Sequence, residues 1–365
     1  MVKRYNGLDF LKFAANLCIV FHHYQQVTHY SFNYYFDFYY GFFYWGYLVE
    51  LFFCISGFFA VRYVDRIRDG IRFDKYLMHK LKRFVPPVFV CAVAEVIVLF
   101  VYHRVVPSQL WTEWACFNES RDFWMFLTNG LCMNFGGVVN PSNGCMGVVN
   151  WTISVIIICD VFLYFIVCIA DRIKIKDTYL YVAMIMLGIM LQEYEINYPF
   201  FNTVVARGFC AFFSGLILGI HMRKQNGYTI RLWIRALILP ITVAAMLISS
   251  GQEYLLAIII FPILISIFTD DKIEKLFAKW RGWKYMGNIG FEVYIWHPVV
   301  IAFWLIVVYV KDIDLLVNGF GKMIIFAILC TAVGAVAYRF IEIPIGKIDF
   351  TKNKRLKKLI FNDEI

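Results

Sequence analysis

Apolar stretches of roughly twenty residues recur along the whole chain, separated by short charged connectors, and that is the length a helix needs to cross a bilayer core. A backbone inside lipid must pair its own N–H and C=O groups, so such stretches fold as helices packed on one another. The predicted spans are 10–29, 44–62, 84–102, 148–170, 178–192, 203–222, 232–249, 254–269, 288–309 and 321–343. The first is expected to remain as a helix, because no small-residue cleavage site follows it in "FHHYQQVTHYSF". With 61% hydrophobic and 17% charged residues and a mean hydropathy of +0.65, the chain has too little polar surface to cover a soluble domain of 365 residues. The expected class is all-α: a polytopic membrane helical bundle of about ten transmembrane helices.

Lysine and arginine concentrate on one set of connectors. Arg62, Arg66, Arg68, Arg72, Lys75, Lys80, Lys82 and Arg83 fall on one; "KIEKLFAKWRGWK" and the final "KNKRLKK" fall on the same side if the spans alternate. Positive connectors stay cytoplasmic, so both termini are expected inside. The net charge of +9 then reflects topology and contact with anionic membrane lipids, and no nucleic-acid partner is expected. No linker divides the chain, which reads as one membrane domain over 1–346 and a basic cytoplasmic tail over 347–365. The connector "RYVDRIRDGIRFDKYLMHKLKRFVPP" is expected to form a surface helix or phosphate platform that stops at its proline pair. The outer loop 103–147 carries Cys116, Cys132 and Cys145, two of which could pair in an oxidising compartment. Its aromatic residues and those of "YSFNYYFDFYYGFFYWGY" suit an interfacial belt or a sugar-stacking surface. No CxxC or other metal-like spacing occurs, so no metal site is expected.

Ionisable groups inside spans cost roughly 2.5–3.5 kcal/mol each, and those that persist face cavities or one another. Here they are Lys12, His22, His23, Glu50, Glu95, Asp160, Arg207, His221, Glu292 and His297, with Asp9 and Glu342 at the inner ends. Lys12 and His23 are eleven residues apart, close to three helical turns, so they project from nearly one face about 16 Å apart along the axis. Lys12 either snorkels to headgroups or lines an entrance, and Asp9 either caps the helix or holds Lys12. His23 is either held by a neighbouring carbonyl or is chemically active. His297 reads as structural or pocket-lining, and Arg339 with Glu342, one turn apart, as an ion pair.

These residues carry a resemblance. "LDFLKFAANLCIVFHH" resembles the first-helix signature of the acyltransferase family 3 membrane proteins, a basic residue and a histidine separated by ten residues, with Lys12 where arginine is more usual. "YLVELFFCISGFF" resembles the family's second-helix block, "KLKRFVPP" its R-x-x-R block and "NWTISV" its tryptophan-serine block. "FFSGLILG", "MGNIGFEVYIWHP" and "YRFIEIP" resemble later helices, all in order over about residues 4–346. Two departures stand out: Ile156 occupies a position where many relatives carry glutamate, and Lys80 opens the R-x-x-R block without arginine's bidentate fork.

The resemblance implies transfer of an acyl group, commonly acetyl, from cytoplasmic acyl-coenzyme A to a hydroxyl of an extracytoplasmic glycan or lipid-linked sugar, by an integral protein of the bacterial plasma membrane. Lys12, Lys80 and Arg83 are then expected to meet the donor's phosphates. His23 acts as general base or forms an acyl-histidine. Glu50 orients it, binds the acceptor, or pairs with a buried cation. Trp151 and Ser154 line the acceptor side or pack within the bundle. Arg207 recognises an anionic group or anchors the interface. A small-metabolite transporter using the same polar interior is the competing class.

Overall fold

In the computed structural model, the described residues are 4–31, 37–39, 41, 43–108, 122–133, 149–224, 231–238, 240, 254–315 and 318–347. They form helices α1 (Asn6–Thr28), α2 (Leu48–Arg68, preceded by a 3-10 turn at Trp45–Tyr47), α3 (Phe73–Val105), α4 (Asp122–Gly130), α5 (Trp151–Arg172), α6 (Asp177–Glu193) and α7 (Thr203–Lys224). Then follow α8 (Phe261–Phe268, continuing a π-helical turn at Leu256–Ile260), α9 (Asp271–Phe277), α10 (Gly282–Val310) and α11 (Gly319–Ala337). A second π-helical turn at Tyr338–Glu342 leads into α12 (Ile343–Lys347), and a two-residue-per-strand hairpin, Asn197–Tyr198 with Phe201–Asn202, joins α6 to α7. Of the expected span 232–249, the described part is helical at 232–238 and at 240.

Six helices among the described residues are long and apolar enough to cross a membrane: those containing α2, α3, α5, α7, α10 and the α11–α12 continuation. α1 is not among them, because Asp9, Lys12, Asn16, His22, His23, Gln25 and Gln26 lower its mean hydropathy. The polarity that removes it from an apolar count is what it brings to the interior. Cys132 is buried, whereas Cys116 and Cys145 lie outside the described residues.

The connector expected to hold a surface helix over 62–83 contracts to four residues. α2 runs on to Arg68 and is closed by Gly70 at φ +85°, with Ile71 N–H donating to Arg66 O and Gly70 N–H to Ile67 O, a double closure that favours glycine. α3 begins at Phe73 and passes through Pro86 and Pro87 without ending there. The prolines withdraw the helical donors of the Lys82 and Arg83 carbonyls, which lie near the basic end of the bundle, where polar groups and water can replace them.

Close approach of α2 and α7 depends on missing side chains. A Cβ on Gly57 would overlap the Phe212 carbonyl, one on Gly215 the Cys54 carbonyl, and one on Gly219 the Phe58 carbonyl. Between membrane helices, backbone proximity of this kind replaces the hydrophobic effect as the source of association. Gly215→Val places its branches against backbone that cannot rotate away, so the destabilisation should reach the upper part of the overpacking range, about 3 kcal/mol. Size-exclusion chromatography in detergent should show loss of the monodisperse peak after mild heating that leaves the parent protein intact.

Candidate active site

α1 sets one stripe of the site. Lys12, Asn16 and His23 sit at i, i+4 and i+11, so one helix face carries them from the basic end inward. That face packs along α10, which runs in the same direction: Gly287 leaves room for Asp9, Asn16 Nδ2 donates to Gly290 O at 2.6 Å, and the His23 ring stacks on His297. The two-turn step from Asn16 to His23 matches the step from Gly290 to His297. At the basic end Asp9 gathers two cations, Lys12 Nζ at 2.8 Å and Arg4 Nε at 2.6 Å.

A cavity of about 510 Å³ opens among α1, α2, α3, α5, α7, α10 and the π-helical turn after α11. Its mouth holds Arg4, Lys12, Arg62, Lys80 and Arg83 against Asp9, Asp160 and Glu342, an excess of cations. Among the described residues neither Arg62 nor Arg83 forms an ion pair, and Arg62 Nε is buried without a hydrogen-bond acceptor. Further in, the walls are Phe52, Ile55, Phe59, Phe84, Ile153 and Phe291, and the inner end is closed by Thr152 and Tyr294. The arrangement suits a ligand with an anionic head and a slender arm.

The three residues expected to meet the donor's phosphates therefore border one cavity, but they are not equivalent. Lys80 Nζ lies 2.9 Å from Asp160 Oδ1 and 3.9 Å from the centroid of Tyr63, and Tyr76 Oη donates to the same carboxylate at 3.1 Å. Ile156 lines the cavity, and Asp160 one turn on presents a carboxylate to the same space.

His23 turns inward, but it does not border the cavity that Lys12 lines. It lies beyond Tyr294, whose ring borders the cavity and meets His297 at 5.9 Å between centroids; His297 in turn stacks on His23 at 5.2 Å and 15°. His23 Nδ1 is 3.0 Å from Gln26 Oε1. His22 points to the other side, its Nδ1 donating to Phe38 O at 2.8 Å, with Tyr39 and Tyr44 packed against the ring.

Glu50 and Arg207 form a bidentate pair between α2 and α7, at 2.5 Å and 3.0 Å, with the guanidinium 5.0 Å from the Trp151 ring centroid. Both Glu50 oxygens are thereby engaged by Arg207, the third of the roles open to it from sequence. Ser154 Oγ donates back to Trp151 O at 2.9 Å. Arg339 and Glu342 form no ion pair: the wider winding of the π turn rotates them apart, leaving Arg339 exposed and Glu342 lining the cavity with Oε2 buried.

Sequence reasoning passed over Asn16, Asp160 as a cavity group, and Tyr294. Asn16 was legible as the middle of the Lys12–His23 stripe; Tyr294 carried no signal beyond its place near His297. No group of three or more His, Cys, Asp or Glu disposed to hold a metal occurs among the described residues. A family model described as an acyltransferase domain matches residues 5–339. No curated protein and no solved structure matches the chain.

Proposed function

Because the chain belongs to this family of acyltransferases, an assignment covering all but a few of its N-terminal residues and the last two dozen or so, we propose that it moves an acyl group, acetyl in the first instance, from acyl-coenzyme A to a hydroxyl of a glycan or lipid-linked sugar. In this reading about ten helices cross a bacterial plasma membrane with both termini cytoplasmic, the basic end faces the cytoplasm and the acceptor comes from the opposite side. The observation that supports it is the cavity: a cationic mouth, apolar walls, and an inner end at Tyr294 one aromatic layer from His23.

Coenzyme A fits what the residues offer. Its phosphates require cations that are not already neutralised, and Arg62 and Arg83 provide them; its pantetheine arm requires a narrow, largely apolar path, and the phenylalanine-lined walls provide that. Glu342 and Asn16 supply polar contacts for the arm's amides. Chemistry then falls to His23. With its Nδ1–H donated to Gln26, the neutral ring keeps a lone pair on Nε2. That nitrogen takes the acceptor's hydroxyl proton as the oxygen attacks the thioester carbonyl. When the C–S bond breaks, the thiolate takes the proton back. Tyr294, which borders the cavity, must swing aside for the thioester to reach Nε2 past the edge of the His297 ring, a movement of one side chain.

Purified protein incubated with radiolabelled acetyl-coenzyme A and a glycan extract should release coenzyme A and pass label to the extract. Absence of both donor binding and thioester loss would overturn the reading and favour transport. Arg83→Ala removes an exposed charge-assisted contact to phosphate, worth about 1.5 kcal/mol, so the donor KM should rise roughly tenfold with kcat little changed. An unchanged KM would place the phosphates elsewhere.

A further inference from the structure

His297 and Pro298 are adjacent in the middle of α10, and their geometry is coupled. Pro298 has no N–H, so the carbonyl of Tyr294, four residues earlier, loses its helical donor. His297 Nδ1 lies 2.7 Å from that oxygen. A carbonyl can only accept, so the hydrogen is on Nδ1, and a neutral His297 carries its lone pair on Nε2. The proline thus selects the tautomer of the residue before it.

The locked ring is in contact with the histidine proposed to do the chemistry. His23 and His297 stack nearly parallel, and His23 is held at its edge by Gln26 and on its face by His297. Tyr294 supplies both the carbonyl that fixes His297 and the ring that closes the cavity. Resting on the reading of His23 as the base, we propose that His297 is a positioning residue: locked by the proline gap, it holds the His23 imidazole in the plane from which Nε2 meets the acceptor hydroxyl. A ring that can tilt or flip would spend less time aligned, and misplacement of a reacting group by about 1 Å can cost on the order of 10²-fold.

The test has a spectroscopic arm and a kinetic arm, both on the full chain in lipid bilayers. In ¹⁵N-histidine NMR at pH 8, where unperturbed imidazoles are neutral, the His297 resonance, identified by its loss in His297→Asn, should report the Nδ1-protonated tautomer. In Pro298→Ala the restored N–H competes for the Tyr294 carbonyl, and this resonance should divide between tautomers. In the transfer assay His297→Asn keeps a donor for the carbonyl but loses the ring, so kcat should fall about tenfold with the donor KM unchanged. His297→Phe keeps the stacking face and should retain more activity than His297→Asn. An Nε2-protonated His297 in the parent protein would overturn the proposal whatever the kinetic arm shows. So would kcat values within twofold of the parent for both substitutions. If the parent protein moved no acyl group, the reading of function would fail while the NMR result still stood.

Discussion

His23→Ala should reduce acyl transfer by about 10²- to 10⁴-fold, the range a positioned general base contributes, while donor affinity stays within about twofold of the parent. The separation of effects follows from the layout. The groups that would hold the donor, Arg62 and Arg83, line the mouth of the cavity, whereas His23 lies behind Tyr294 and does not border it. Alanine also leaves a void against His297, so His23→Gln, which keeps much of the volume, should accompany it and show the same loss. Equilibrium dialysis with labelled coenzyme A measures binding, and single-turnover label transfer measures chemistry. The same assay separates the two mechanisms open to a histidine. With donor but no acceptor, an acyl-histidine route leaves label on the parent protein that hydroxylamine releases, and none on His23→Ala, whereas general-base catalysis leaves neither labelled. Turnover retained in both variants would remove His23 from the mechanism.

The eleven-residue interval between Lys12 and His23 was readable because helix geometry is local: one face, one axial rise, no knowledge of neighbours required. The same holds for the long apolar helices, whose composition admits little else inside a bilayer. What was not readable depends on residues far apart in the chain. The partners of Lys80, Glu50, Asn16 and His23 are 80, 157, 274 and 274 residues away, at Asp160, Arg207, Gly290 and His297. Periodicity cannot name such partners, and the resemblance ordered the blocks without pairing them. Local signals were also misread. Gly70 after "DRIRD" marks a helix end, yet the basic residues around it suggested a separate surface helix. A proline pair suggests a boundary, but α3 continues through it because the carbonyls it deprives sit where other donors can reach. At Arg339 and Glu342 the assumption of α winding failed, since a π turn separates residues that an α turn would stack.

The contrast between Lys80 and Arg83 yields the second large effect. The Lys80 and Asp160 side chains are 11% and 1% exposed, and the carboxylate's remaining contact on the same oxygen is the Tyr76 hydroxyl. Lys80→Ala therefore strands a buried charge, which costs about 3–5 kcal/mol, more than the pair itself contributes relative to neutral groups. Thermal unfolding in detergent, followed by tryptophan fluorescence, should show a large drop for Lys80→Ala and recovery of more than half of it in Lys80→Ala/Asp160→Asn, where the stranded charge is gone but Tyr76 keeps an acceptor. That restored background is where the role of Lys80 can be read. An ammonium already committed to Asp160 and seated on the Tyr63 ring has little charge left for a phosphate, so the donor KM of the double variant should stay within about threefold of the parent while Arg83→Ala raises it about tenfold. A stable double variant with a KM raised as far as that of Arg83→Ala would show instead that Lys80 leaves Asp160 for the donor, and that the ion pair is a resting contact rather than part of the scaffold.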